Sequence, residues 1–263
     1  MDWGRAKTLM IFSFLLLNIL LGYQLWVDIR EQLNANVNSA ELPQDKVLLM
    51  QQKRITLATN LPVETPKLGD LTYLLDSDTR KSDEPILLET AVDSAIVFTK
   101  RRLIEELGSQ IDNLEQYDYD LMNSNEVVFV LNRIVNGLPM FNVRLELHAS
   151  NLKITGYHQD PIELIGMGEE LTVLPAVKVV ASLIETYIPA GSVINDIQLG
   201  YYGQIFDSEQ QVAAPSWRVT LESGKVYYVH AISGEVTTDE ESGEEQDQEH
   251  GETEQADQVG TNG

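Results

Sequence analysis

Cysteine is absent from the 263-residue chain. That excludes disulfides, thiolate metal sites, iron–sulfur clusters and a cysteine nucleophile. Histidine is scarce, at four residues, which leaves little for a histidine-built metal centre. Bases are also few: 18 Lys+Arg stand against 41 Asp+Glu, a formal net charge of −23. Nucleic-acid binding needs cations that displace phosphate counterions, so no nucleic-acid partner is expected. There is no phosphate-binding glycine loop, no G-x-S-x-G and no H-E-x-x-H. The glycines of Gly166-Met167-Gly168-Glu169-Glu170 complete no nucleotide fingerprint and read as a linker. These absences predict a non-enzyme with no catalytic residue, no cofactor and no metal.

What charge there is lies unevenly. Residues Glu235 to Gly263 hold 11 acids and no base. That stretch has no apolar period and cannot bury enough surface to offset its ordering entropy. At the other end, Thr8 to Val27 is 20 residues without a charge. At about 1.5 Å per residue such a helix spans roughly 30 Å, the hydrocarbon thickness of a bilayer. Arg5 and Lys7 precede it, and Asp28, Arg30, Glu31, Glu41 and Asp45 follow. The positive-inside rule then puts the N-terminus in the cytoplasm and the rest outside, with Tyr23 and Trp26 at the outer interface. The apolar run is longer than a secretory h-region, and its nearest small-x-small site, Val37-Asn38-Ser39, is distant, so an uncleaved signal anchor is expected. Along this helix Ile11, Leu15, Asn18, Gly22 and Leu25 form one stripe. An amide in hydrocarbon seeks a partner and a small residue admits a neighbouring helix, which makes the stripe a candidate contact face.

Beyond the anchor, residues 28–50 read as a helical stalk or linker with weak periodicity, interrupted by Pro43. Short strands are expected at Ile55–Thr59 and Leu71–Leu75. Ile86–Leu88 and Ala95–Phe98 are apolar without an assignable period. Leu103, Leu107, Ile111 and Leu114 recur at helical spacing, predicting a helix over Thr99–Gln116. Three strands follow, at Glu126–Val135, Met140–His148 and Leu152–His158, with turns at Asn136-Gly137 and Ser150-Asn151. Leu174–Ile188 is a mostly apolar helix with Pro175 in its first turn. Strands at Ser192–Phe206, Ser216–Glu222 and Lys225–Ile232 come after it, the last two joined by Ser223-Gly224.

Pro139-Met140-Phe141-Asn142-Val143-Arg144-Leu145-Glu146 and Pro215-Ser216-Trp217-Arg218-Val219-Thr220-Leu221-Glu222 share the pattern Pro-x-aromatic-x-Val-x-Leu-Glu. With the same order of elements around both, the reading is a duplication. The predicted class is α+β: a single N-terminal transmembrane helix followed by two similar lobes, each a helix packed on a small antiparallel sheet. The divisions are a cytoplasmic start (1–7), the anchor (8–27), the stalk (28–50), lobe one (51–165), lobe two (166–236) and a disordered acidic tail (237–263).

Other groups carry weaker chemistry. In a tight hairpin at Ser150-Asn151, His148 falls opposite Lys153 and His158 opposite Val143, too far apart for a shared metal. Tyr117-Asp118-Tyr119-Asp120 and the pair Asp76/Asp78 are oxygen-rich but do not fit an EF-hand spacing, so they read as turns with solvated acids. Nothing selects two carboxylates as a glycosidase pair.

Met1-Asp2-Trp3, Lys7-Thr8 and Asn18-Ile19-Leu20-Leu21-Gly22-Tyr23-Gln24 resemble the N-terminus of the YycI family, regulators of the YycF–YycG (WalR–WalK) two-component system of low-GC Gram-positive bacteria. The resemblance implies a non-catalytic, membrane-anchored regulator of an essential sensor histidine kinase that controls cell-wall metabolism. Its implied partners are that WalK/YycG-like kinase and a YycH-like membrane protein. It also implies that Asn18, Gly22, Tyr23 and Gln24, beside Leu15 and Ile11, touch partner helices. The closing hairpin, Ser216-Trp217-Arg218-Val219 through Gly234-Glu235-Val236, is similar to PepSY-type domains. That likeness implies an alternative: an exported binding or inhibitor module acting on a wall hydrolase or protease.

Overall fold

The computed structural model describes Phe14, Asn18 and residues 42–75, 84–206 and 208–238. Two long alternating strands organise it. The first, β7 (Leu138–Ser150), sits in an antiparallel meander between β6 (Val128–Val135) and β8 (Lys153–Gln159). The second, β12 (Gln210–Leu221), lies between β11 (Val193–Tyr202) and β13 (Val226–His230). The meanders join where β11 meets β7 in parallel, Tyr201 opposite Met140.

Shorter strands extend this frame. β5 (Tyr117–Tyr119) borders β6, and β14 (Val236–Thr238) borders β13. β4 (Ile86–Asp93) borders β8, and β1 (Thr56–Leu57) runs parallel to β11. β3 (Leu71–Leu75) bridges the first half of β12 to β9 (Ile162–Met167). The product is one 12-stranded mixed sheet, accompanied by a two-stranded ribbon of β2 (Lys67–Leu68) and β10 (Leu171–Thr172).

This overturns the expected architecture of two lobes on separate small sheets. Strand periodicity reports which face of a strand is dry, not which distant strand it pairs with. Both long strands outrun their meander partners. β12 uses its spare length to hold β3, and β7 uses its own to meet β11. The Gly166–Glu170 linker is likewise absent as such, since Gly166 and Met167 are paired in β9.

Among the described residues the sheet is flanked by α1 (Gln44–Lys53), α2 (Lys100–Leu107) and α3 (Ala176–Thr186). Among the described residues no helix is long and apolar enough to cross a membrane. The span 8–27, except Phe14 and Asn18, lies outside the described residues, as do Asp76, Asp78 and the tail beyond Thr238.

The helix expected at Thr99–Gln116 stops at Leu107. A turn and a 3-10 segment, Leu114–Gln116, complete it, with Asn113 in the left-handed region. Leu103, Leu107, Ile111 and Leu114 are nevertheless all buried, against Phe129, Leu131, Leu145 and Leu147. α3 lays Ala176, Val179, Val180, Leu183 and Ile184 onto Trp217, Val219, Leu221, Tyr227 and Val229. Each such aliphatic side chain contributes about 1.5–3 kcal/mol on full burial. Polar bonds fasten both ends of α3. Trp217 Nε1 donates to Leu174 O at 2.9 Å, and Tyr227 Oη donates to Tyr187 O at 3.1 Å. A third cluster, with Tyr73, Met140, Val143 and Tyr201, fills the junction where β3 crosses.

Candidate functional site

On the sheet face opposite α3, β12 presents Ser216, Arg218 and Thr220, all buried. A buried arginine needs a fork of acceptors. The Arg218 guanidinium donates through Nη1 to Asp120 Oδ2, and through Nη2 to Asp120 Oδ1 at 3.2 Å and Gln198 Oε1 at 2.9 Å. Its Cζ lies 4.6 Å from the centroid of the Phe141 ring. Asp120 follows β5 and is gripped from several sides. Asn132 Nδ2 donates to it at 2.7 Å, Asn123 Nδ2 at 2.9 Å and Met122 N at 3.1 Å. The side chains are 2 % (Arg218) and 3 % (Asp120) exposed. Burial pushes the Asp120 carboxyl up. The Arg218 hydrogen bond and charge, with Asn132 and Asn123, more than reverse that and hold it below its ordinary value.

The segment read as solvated acids is therefore partly wrong. Tyr117–Tyr119 is a strand, and Asp118 pairs with Lys100 at 2.6 Å. Asp120 is interior because its strand ends beside the second meander. Gly200 makes room for this centre: a Cβ there would stand 2.4 Å from Pro139 O and 2.6 Å from the Phe141 ring. Beyond Phe141, Tyr228 stacks on Tyr202 with ring centroids 3.7 Å apart and planes at 4°. The arrangement binds one half of the sheet to the other.

A second polar junction lies where the described chain begins. α1 is short and weakly amphipathic, so tertiary contacts must hold it. Leu49 and Met50 pack on the α3 core. Lys53 Nζ donates to Ile184 O at 2.6 Å and Glu185 O at 3.1 Å, placing a cation on the open carbonyls at the C-terminal end of α3. Lys46 pairs with Glu185. The stalk expected over residues 28–50 is thus, from Gln44 on, a helix latched to the sheet through α3.

The remaining candidates are local. The β7–β8 turn is centred on Asn151 and Leu152, both at positive φ, not on Ser150-Asn151. With a bulge after His148, that histidine stands opposite Gly156 and His158 opposite Glu146, which corrects the expected register. His158 Nε2 lies 3.8 Å from Asp160, and His230 Nδ1 accepts from Ile232 N and Ser233 N. Among the described residues no group of three or more His, Asp or Glu could hold a metal ion. Of the candidate partner-helix contacts, Ile11, Leu15, Gly22, Tyr23 and Gln24 lie outside the described residues. Asn18 is helical and exposed, and its Nδ2 donates to Phe14 O at 2.9 Å.

A search of the curated proteins gave no match. Among solved structures, the chain is similar to an uncharacterized protein from Eubacterium rectale ATCC 33656, at 12 % identity and a TM-score of 0.32. The similarity covers 44 % of each chain, too little and too loose to carry an argument. The model of the YycI protein family, by contrast, matches residues 32–232. The chain belongs to the YycI family.

YycI proteins form a regulatory family of the YycG (WalK) kinase system. Sequence reasoning gave no role to Lys53 or Arg218 and read Asp120 as a solvated acid. One signal for Arg218 was present: it is the lone charge of β12. Its partner, 98 positions away, had no such mark.

Proposed function

We propose that this YycI-family chain is a membrane-anchored, non-catalytic regulator of a WalK/YycG-like sensor kinase, working with a YycH-like membrane protein on cell-wall metabolism. The observation that carries this reading is the family match over residues 32–232. Two features support its finer parts. The uncharged run Thr8–Val27, with Arg5 and Lys7 before it, suits a single-pass anchor with the folded part outside the cell. The latch of α1 onto α3 holds residues 44–53, on the anchor's side of the sheet, as a packed helix. A regulator shifts a kinase only by binding its active and inactive states differently. A latched α1 lets an event on the sheet alter how the N-terminal helix presents Asn18, Gly22, Tyr23 and Gln24.

Crosslinking in intact cells, followed by identification of the attached proteins, tests the partners. The expected products are the kinase and a YycH-like protein. Their absence, with the chain recovered free of the membrane, would overturn the proposal. Replacing Asn18→Leu and Gly22→Leu together, with membrane level monitored, tests the helix contact. Kinase output and co-purification are both expected to change.

A further inference from the structure

Strand β9 is an edge. It pairs with β3 on one side, and among the described residues no strand pairs with its other side. Natural edges are usually short, charged or covered, because a free edge templates another strand. This one runs six residues, Ile162–Met167, with Leu164 at 42 %, Ile165 at 53 % and Met167 at 44 % exposure. Its open backbone can be located. Leu75 N donates to Glu209 O across β12, and Asp70 O accepts from Gly168 N across β9. Odd residues of β3 therefore bond toward β12 and even residues toward β9. Leu164, opposite Tyr73, accordingly turns its N–H and C=O outward.

The surroundings state which strand belongs there. From Ile154 to Val177 there is no Lys or Arg. Glu163 lies in the strand, and Asp70, Glu169 and Glu170 flank its far end, all exposed. A second copy of the chain would bring these acids against their own kind, on a molecule of net charge −23. We infer that the outer edge of β9 is a docking site for an extended, basic segment of another protein, added as a strand with apolar residues alternating with Lys or Arg. Main-chain bonds to the Leu164 level would give affinity, and the acidic rim would select the sign of the partner. This inference does not depend on the kinase reading.

The test uses the full chain in detergent and two labelled seven-residue peptides, one alternating valine with lysine and one alternating valine with glutamate. The valine–lysine peptide is expected to bind at least about tenfold more tightly. It should also slow hydrogen exchange at the β9 amides. Leu164→Pro removes an outward donor without breaking the β3 ladder and is expected to weaken binding about tenfold or more. Ile165→Lys, on an exposed side chain, should do the same by charge if the proline variant fails to fold. Leu152→Lys, at a distant turn, should leave binding unchanged. Equal affinity for both peptides, or protection that falls elsewhere, would overturn the proposal. So would a β9 already protected without peptide: loss of protection on dilution would assign the edge to a second copy, and protection at every dilution would assign it to this chain itself.

Discussion

Asp120 and Arg218, 98 residues apart in sequence, meet as a buried, doubly hydrogen-bonded ion pair that ties the β5–β6 side of the sheet to β12. Taking two charges out of water is costly, and only complete satisfaction offsets it. Here Gln198, Asn132, Asn123 and the Met122 amide supply most of the remaining partners, while Arg218 Nε and Asn132 Oδ1 have none among the described residues. Arg218→Met strands a buried carboxylate and is expected to cost about 3–5 kcal/mol in denaturant unfolding. Arg218→Lys should recover little, because an ammonium cannot span Asp120 and Gln198 with the same fork. The double variant Arg218→Met with Asp120→Leu should lose less than the single variants sum to, since neither then leaves a lone charge.

The same pair sets an acid dependence. The folded-state pKa of Asp120 lies below its ordinary value. Its contribution to stability is therefore fully present above the unfolded carboxylate pKa of about 3.9 and is lost as pH falls through the folded value. Unfolding free energies of the natural chain and Asp120→Asn, measured from about pH 7 down to about pH 3, should converge only at the acid end. A gap that stays constant across that range would show that the carboxylate's charge is not what stabilises the centre.

At Gly200 the limit is steric. Pro139 O and the Phe141 ring occupy the space a Cβ would need, and one of these is backbone. Gly200→Ala is expected to destabilise by about 1–3 kcal/mol and to alter the near-ultraviolet signal of the Phe141–Tyr228–Tyr202 cluster. Gly166→Ala, where nothing lies within 4 Å of the added atom, serves as the neutral comparison.

Local pattern reached far in this chain, and long-range pairing did not. The alternation of Phe141, Val143, Leu145 and Leu147 is buried as read, and Leu71–Leu75 is a strand with those bounds. The Leu103–Leu114 spacing named the right buried face even though the helix ends early, because a turn and a 3-10 segment keep those side chains on the same side. What failed was the count of sheets. The parallel contact of Tyr201 with Met140 and the insertion of β3 between β9 and β12 are choices between distant strands, and side-chain period carries no record of them. Asp120 was illegible for the same reason. It follows Asp118, which is exposed, and only its contact with Arg218 of β12 sets it apart.

The hairpin tip between β7 and β8 stores strain. Leu152 is 82 % exposed and holds φ at 60°, a conformation that costs an ordinary L-residue about 1–2 kcal/mol. Asn151, at φ 51°, fits the first position of such a turn, and glycine is the favoured residue at the second. Leu152→Gly is therefore expected to stabilise the fold by roughly 0.5–1 kcal/mol, read as a higher unfolding midpoint with an unchanged denaturant slope. A loss of stability would mean that the exposed leucine makes a contact worth more than the strain it imposes.

Lys53 offers the most direct way to separate folding from signalling. Its ammonium caps the carbonyls of Ile184 and Glu185, so it fixes α1 to α3 at the point where the N-terminal segment joins the sheet. Lys53→Met keeps the aliphatic stem and removes the cap, which is expected to cost about 1 kcal/mol. The sheet is held by the α3 core and should persist. Hydrogen exchange should therefore accelerate across Gln44–Lys53 while β7 and β12 stay protected. If α1 carries regulation between sheet and membrane helix, this variant uncouples them, and kinase output in cells changes while membrane level and co-purified partners do not. If the N-terminal helix acts only as a tether, loosening α1 leaves output at its natural level, and the coupling role assigned to the latch fails with it.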